Sequence, residues 1–392
     1  MRNVVIVAAS RTPIGTIGGQ FKDLTSLDLS VPVMKELVKT SGIDSSKIDD
    51  VIWGCNYQRT YLENNLARVA LIKAGIPASV PGITIHRNCT SSMSSIQMGM
   101  YQIIAGEADC IMAGGADSMS TAPHMVFNAR YGQKFGHMEM RDSMWDSLTN
   151  LGVGPGMGVT AENVAKMFNI SREDQDQYAL LSQQRAVKAL DEGKFKDEIV
   201  PITVKQRKSE TTYDTDEYPK RNVKIEDLAR LKAAFIDDGT VTPGNASGMN
   251  DAASGVILME EEKAKELGIP ILCRILSTAT TGVEPEIMGI GPVSATKKAL
   301  EKAGLKIEDI DLFEINEAFA SQCLACKNEL KIDIDKLNVN GGGISLGHPV
   351  GATGARIVIS LIYEMKKRNN KYGVATLCAG GGMGTTLIIE MV

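Results

Sequence analysis

The segment HRNCTSSMSSIQMG, residues 86–99, places one cysteine where the residue pattern changes. Before it, PGITI is short and β-branched; after it, Met93, Ile96, Met100 and Ile103 recur at helical spacing. Cys89 therefore stands where a strand passes into a helix. A thiol there faces unpaired backbone N–H groups and the positive end of the helix dipole, which favours the thiolate. The competing reading is a buried core cysteine, the commoner fate of the residue.

Three further stretches carry reactive types. In NVNGGGISLGHPVGATG, residues 338–354, His348 sits among six glycines and just before Pro349 at a helix start. Such turns bring backbone close to a ligand, and a histidine there is placed as a base or an N–H donor. In TLCAGGGMG, residues 376–384, Cys378 ends a strand and three glycines follow. No Gly-Lys-Ser/Thr follows, so this is not a phosphate-binding loop. It offers a second thiol and free N–H groups for an oxyanion. In INEAFA, residues 315–320, Asn316 and Glu317 follow the apolar strand DLFEI, and Asn316 reads equally as a helix N-cap. CLAC (Cys323, Cys326) is one pair without a partner pair inside a helical pattern, so core packing is preferred and no metal is assigned. His86, His124 and His137 have no motif around them, and the basic KQRKSE and KRNVK read as solvated faces.

The elements that must hold these groups alternate. NVVIVAA (3–9), IDDVIWGC (48–55) and ADCIMAGGADSMS (108–120) read as strands; LDLSVPVMKELVKTSG (27–42) and NNLARVALIKAGI (64–76) read as helices. Continuous apolar strands between helices predict an α/β fold with a largely parallel sheet covered on both faces. The C-terminal part repeats the order strand, turn, helix, strand, glycines, which predicts an internal duplication. The middle differs: the glycine-rich NLGVGPGMG precedes helices expected to begin at Thr160 as N-cap and at the capping box Ser171-x-x-Asp174. It reads as an inserted lobe of loops and helices.

At 392 residues, 43% hydrophobic and 23% charged, with net charge −5, the chain has the composition of a globular protein without a general polyanion-binding surface. Neither nucleic acid nor membrane is expected as a partner. The opening apolar run spans only six residues and reads as a strand rather than a signal or spanning segment. Seven cysteines in so long a chain suggest free thiols and a cytoplasmic setting.

Taken together, the cysteine with small residues after it at 89, GNASGMND (244–251), NEAFA, GHPVGATG and CAGGGMG resemble the thiolase family, over essentially the whole chain. PHMVFNARYGQKFG resembles its tetramer-forming loop, and GMGVTAENVA and FKDEIVP its loop domain; the bacterial short-chain, biosynthetic branch is most similar. The resemblance implies a thiolase-like fold of two duplicated α/β halves in layers. Residues 1–118 completed by 250–270 would form the N-terminal half, 119–249 the loop domain for CoA binding and oligomerisation, and 271–392 the C-terminal half.

It also implies reversible condensation of two acetyl-CoA to acetoacetyl-CoA and CoA, with a 3-ketoacyl-CoA thiolase of broader chain preference as the alternative. Cys89 would carry the acyl group, His348 would take the thiol proton, and Cys378 would exchange the α-proton of the second acyl-CoA. The N–H groups of Cys89 and Gly380 would form one oxyanion site, and His348 with a water on Asn316 the other. Ser247 would contact pantetheine; Leu148, Met157, Met249, Ala318 and Phe319 would line its tunnel; Lys220 would face the nucleotide phosphates. CoA and acyl-CoA are substrates, with no permanently bound cofactor and no metal, and a homotetramer is implied. Two departures from the family pattern bear on chain length: Thr90-Ser91-Ser92 stands where Gly-Ser-Gly is usual, and Gly156 where histidine is common. If Cys89 and Cys378 share the centre, mild oxidation would bridge them, given Cα atoms within roughly 7 Å.

Overall fold

In a computed structural model describing residues 2–59, 61–205 and 209–392, the VVIVAASR run forms strand β1 (Val4–Arg11), buried along its whole length. The other strands of its sheet are β2 (Asp50–Gly54), β3 (Gly82–Ile85), β4 (Cys110–Ser118), β5 (Asn250–Glu260), β6 (Cys273–Gly282), β7 (Leu312–Ile315), β8 (Tyr372–Ala379) and β9 (Met383–Met391). They lie in the order β7-β8-β9-β6-β1-β5-β4-β2-β3, with the short Gly15–Thr16 paired to β5. The sheet is mixed rather than largely parallel: only β2–β3, β2–β4 and β7–β8 are parallel pairs. The expectation of a largely parallel sheet failed because β5 and β9 are not reached through βαβ crossovers. β9 follows β8 by the tight Gly380–Gly382 turn, which forces antiparallel pairing.

The duplication is visible in the pairing. From the centre outward, β1-β5-β4-β2-β3 pair antiparallel, antiparallel, parallel, parallel. From β6, the order β6-β9-β8-β7 pairs antiparallel, antiparallel, parallel, and Leu337 adds a parallel bridge to Phe313 of β7. Gly54 opposite Gly115 in one half thus corresponds to Ile315 opposite Thr376 in the other.

Alternate residues of each strand pack into different layers, as the two-residue period requires. Val5, Val51, Trp53 and Met112 pack outward on helices α1 (Ser26–Ser41) and α2 (Leu66–Ala74). Ile6, Ile52, Ile111, Leu377 and Leu387 pack inward on α3 (Ser91–Ala105). Helices α4 (Met157–Met167), α5 (Arg172–Asp191), α6 (Gly291–Ala303) and α7 (Ala320–Leu330) belong to the lobe and the second half, and α8 (Val350–Arg368) joins α3 in the central layer. Phe313, Val374 and Ile388 form the outer layer of the second half with α6 and α7.

Local signals set the helix ends. Thr25 and Asp28 form a capping box on α1, which stops at Gly42 (φ 69°). The expected capping box Ser171–Asp174 opens α5. α4 does not begin at Thr160: Gly156 is its N-cap, and the Thr160 hydroxyl instead bonds back to Met157 O at 2.6 Å. The threonine sits one turn inside, where its side chain serves the helix carbonyls. Of the lobe's basic stretch, residues 206–208 lie outside the described residues. Among the described residues no helix is long and apolar enough to cross a membrane.

Candidate active site

The two central helices start at the same place. α3 follows Asn88-Cys89-Thr90 and α8 follows Gly347-His348-Pro349, so Cys89 and His348 are equivalent positions of the two halves. Each is preceded by a residue with left-handed backbone, Asn88 at φ 47° and Gly347 at φ 104°. Asparagine tolerates that conformation. Gly347 could not be replaced, because a β-carbon would lie 2.5 Å from the Asn250 side chain. The helices touch: Ala355 N donates to Ser92 Oγ at 3.0 Å, and a β-carbon on Gly354 would strike the Met93 backbone.

Pairwise contacts bring the four expected chemical groups together. Asn88 Nδ2 donates to Gly380 O at 2.7 Å, which ties the turn after β8 to the Cys89 loop. The backbone N–H groups of Cys89 and Gly380 both lie near enough to the Cys89 sulfur to favour its charged form. Cys89 packs on a cluster of Tyr57, Met119 and Val350, the last at the start of α8, and the Cys378 thiol feels the charge of Cys89. Asn316 Nδ2 lies 3.4 Å from His348 Nδ1. Asn316 is not an N-cap: α7 begins only at Ala320, capped by Phe319. Its Oδ1 and His348 Nε2 are both buried with no protein partner.

The electrostatics correct one expectation. Burial pushes the Cys89 thiol up to about 11, outweighing the two N–H groups that favour its thiolate. Burial, and then the charge of Arg356, hold His348 down to about 3. Burial, and then Cys89, raise Cys378 well above a free thiol. The resting pair is neutral thiol and neutral imidazole, because desolvation exceeds what one helix end supplies. Among the described residues Cys89 alone of the seven cysteines keeps partial exposure, and all are free thiols. Cys323 and Cys326 are core residues of α7, and no group of three or more His, Cys, Asp or Glu residues could hold a metal among the described residues.

A cavity of about 420 Å³ opens on Cys89 and Gly380, bounded by Tyr57, Gln58, His86, Met125, Ser143, Ser147, Leu148, Leu151 and Met157. The unusual Thr90 and Ser92 do not enter it. Both are fully buried and bond to Arg87 O and Ala355 N. Nor does Gly156 leave a void: a β-carbon there would meet Thr149 backbone at 3.2 Å, because that segment closes over it.

The expected CoA residues divide. The GNASG segment pairs with NEAFA through an Ala246–Phe319 bridge and Ser247 N to Ala318 O at 2.9 Å; Met249 bridges His348. Met157 packs beside Ala318, Phe319 and Cys378, and Phe235 meets Phe319 edge-to-face at 6.2 Å. These residues form one apolar wall leading to Cys378. Lys220 lies apart, beside a separate surface hollow with Gln183 and Asp191. Its Nζ sits over Tyr218, whose ring abuts Gly248.

Sequence reasoning missed the support. Buried Asp117, at the position equivalent to Cys378, accepts from Asn56 N, Tyr57 N and Gly351 N at 2.8, 3.1 and 2.6 Å. It therefore caps α8 and fixes Tyr57 at the cavity. Asn250 Oδ1 accepts from His348 N at 2.9 Å. Glu317 accepts from Tyr178, Ser182, Asn338 and Ile344 N, clamping the loop before His348. His86, set aside for lack of a motif, lines the cavity. Of these, Glu317, Asn250 and His86 lay in singled-out segments, and none was given this supporting role.

Residues 4–262 match the family model described as thiolase, N-terminal domain, and residues 269–391 match thiolase, C-terminal domain. The chain belongs to the thiolase family and is an acyltransferase. It is 48% identical over 394 residues to an acetyl-CoA acetyltransferase of Syntrophomonas wolfei, with 99% of each chain covered. The Bacillus anthracis acetyl-CoA acetyltransferase superposes with a TM-score of 0.98 at 48% identity, covering 100% of this chain and 99% of that one. A human mitochondrial 3-ketoacyl-CoA thiolase in complex with CoA superposes with a TM-score of 0.96 at 45% identity, covering 100% and 98%.

Proposed function

We propose that the protein is an acetyl-CoA C-acetyltransferase that joins two acetyl-CoA into acetoacetyl-CoA and CoA through acyl-Cys89, and runs the reverse thiolysis. The observation that carries this is the cavity on which Cys89 and Gly380 lie together, with the N–H groups of both favouring negative charge on the Cys89 sulfur. A carbonyl oxygen attached through that sulfur falls within reach of both donors. They hold the negative charge of the tetrahedral intermediate, and each such donor is worth roughly 10²–10³ in rate.

His348 Nε2 takes the Cys89 proton as Sγ attacks the thioester carbon, and CoA leaves as its thiol on taking the proton of Cys378, which is left a thiolate; Cys89 recovers its proton from His348 when Sγ departs at the end. Cys378 then removes an α-proton from the second acetyl-CoA. The carbanion attacks the acyl carbon and Sγ departs. His348 and a water on the unpartnered Asn316 Oδ1 hold the enolate oxygen. Neutral resting groups suit this scheme, since a base must arrive at the thiol without its proton.

Residues 119–249 serve as the CoA-binding and assembly lobe. Ser247, Met249, Ala318, Phe319, Leu148 and Met157 would hold the pantetheine arm, with Lys220 at the nucleotide end. The hairpin His124–Val126 with Met140–Asp142 and its connection expose Phe127, Tyr131, Phe135 and Met140. That apolar patch supports a homotetramer, and a cytoplasmic setting accords with free thiols.

The cavity supports the second reading, a 3-ketoacyl-CoA thiolase of broader chain preference. At about 420 Å³ it falls in the range that accommodates whole small ligands, roughly 300–1,000 Å³, and exceeds the need of acetyl. Thiolysis of a 3-ketoacyl-CoA series with free CoA decides. Sharp preference for acetoacetyl-CoA supports the first reading, and flat or rising kcat/KM with chain length replaces it by the second. Absence of a labile acyl adduct on Cys89 rejects both.

A further inference from the structure

His348 has no carboxyl group on its ring among the described residues; its Nδ1 instead lies 2.7 Å from Thr353 Oγ1. That hydroxyl sits one turn into α8 and is fully buried. Its other neighbour is Pro349 O at 2.8 Å, four residues back, which can only accept and so takes the hydroxyl hydrogen in this arrangement. A hydroxyl so committed can only accept at Nδ1. Nδ1 must then carry the ring proton, and Nε2, buried and without a protein partner, is the bare nitrogen. Asn316 Nδ2 at 3.4 Å cannot donate to a protonated Nδ1, and the length of that contact agrees.

We propose that Thr353 is a positioning residue that fixes His348 as the Nδ1–H tautomer, leaving Nε2 as the base, and that holds the imidazolium formed when the Cys89 proton arrives. The inference rests on the reading of His348 as that base. The hydroxyl takes the place a carboxylate holds in a Ser-His-Asp triad, but without charge. A neutral partner suits this site. Arg356, on the next turn of α8, disfavours a second positive charge, and its own carboxyl partner is Glu314 of β7 at 3.6 Å. The other titratable groups around the centre are the thiols of Cys89 and Cys378, with Tyr57, His86 and Asp117 on the Cys89 side. A carboxylate at Nδ1 would drive the ring towards imidazolium at rest and remove the base.

Thr353→Val removes the acceptor at nearly constant volume, and Thr353→Ser keeps it. The full-length enzyme is assayed for thiolysis across pH and for single-turnover acetylation of Cys89. With ¹⁵N-histidine labelling, four histidines give a countable spectrum, and His348 is assigned by its loss in His348→Asn. The expected result is a bare Nε2 and protonated Nδ1 in the native enzyme and in Thr353→Ser. In Thr353→Val the Nε2–H form appears, kcat and the acetylation rate fall roughly 10²-fold with KM unchanged, and the pH profile moves. A native spectrum with Nε2–H, or Thr353→Val with native kcat and pH profile, overturns the inference. If Thr353→Val does not fold, the native spectrum and Thr353→Ser still decide. His348→Asn separates the two levels: if it turns over normally, the base assignment fails; if it is inactive while Thr353→Val is native, only the role of Thr353 falls.

Discussion

Glu317 offers the sharpest test of how the fold holds the candidate site. Its side chain is 1% exposed. One oxygen accepts from Tyr178 Oη at 2.9 Å and Asn338 Nδ2 at 2.8 Å; the other accepts from Ser182 Oγ at 2.7 Å and Ile344 N at 3.1 Å. Glu317→Gln preserves shape and exchanges one acceptor for an NH₂ donor. The hydroxyls of Tyr178 and Ser182 can turn to Cys323 and Ser345 at 3.0 and 2.8 Å. Ile344 N–H cannot turn, and Asn338 Nδ2 has only the Tyr178 hydroxyl, at 3.2 Å, in place of the carboxylate. Whichever way the amide points, it sets its NH₂ against one of these donors, and one buried donor left without its acceptor costs about 1–3 kcal/mol. At ~2–4 °C per kcal/mol for a large domain, the midpoint of thermal unfolding should fall by roughly 2–12 °C. Glu317→Ala strands both donors and opens a void, and should cost more. Since Ile344 begins the run to His348, acetyl transfer should also drop well below the unfolding range. Scanning fluorimetry beside thiolysis rates reads both. Glu317→Gln unfolding within about 1 °C of native, at full activity, would refute the reasoning from these donors.

Iodoacetamide labelling of Cys89 should accelerate about tenfold per pH unit between pH 6 and 9, because a thiol held at about 11 is almost wholly protonated there; a plateau near pH 7 would show a preformed thiolate. His348 is depressed to about 3, so its stabilising contribution is complete above the unfolded value of ~6.5 and is lost as pH falls below it. His348→Asn should therefore lose less stability than the native enzyme between pH 6.5 and 4, the gap widening by up to ~1.4 kcal/mol per unit, measured by urea unfolding; parallel pH curves would contradict a buried neutral histidine. Phe235, 45% exposed, meets Phe319 edge-to-face; Phe235→Ala should raise KM for CoA by roughly 2–10-fold, the worth of one aromatic pair, with kcat unchanged and little effect on folding.

How much of this was readable beforehand depended on the range of the interactions involved. Strand and helix positions followed from local periodicity, and the β3–α3 and α8–β8 units were recognisable because each repeats the same pattern. Sheet direction was not, since whether β5 and β9 join their halves antiparallel depends on pairing over more than a hundred residues for β5. His348 and Cys378 stood out through residue type beside glycine turns, Cys89 through its place between a strand and a helix, and Asn316 through following an apolar strand. Asp117 and Thr353 did not, because each acts through one hydrogen bond whose meaning appears only when its partner arrives from elsewhere: Gly351 for Asp117, the His348 ring for Thr353. The ionisation of Cys89 was misread for the same reason. A helix start is visible in sequence, whereas the depth of burial that outweighs it is not.

The duplication explains why these groups meet at all. Register makes Cys55 and Asn316 equivalent, likewise Asp117 and Cys378, and likewise Cys89 and His348. Both halves aim the same three positions at the seam where α3 and α8 begin. In the first half, two of the three became structural: Asp117 caps the opposite half's α8 through Gly351 N, and buried Cys55 lies 3.6 Å from it. In the second half, the corresponding Cys378 and Asn316 keep a thiol and an unpartnered oxygen facing the centre. A carboxylate at 378 would add a charge beside Cys89 and raise its thiol further, and a thiol at 117 would leave the α8 amide and the Tyr57 loop without their acceptor. The division is therefore directional. Asp117→Cys should loosen the start of α8 and lower the unfolding temperature, whereas Cys378→Asp should leave folding largely intact and remove acetyl transfer. If Cys378→Asp unfolds the protein as readily as Asp117→Cys, the two halves are not specialised in this way.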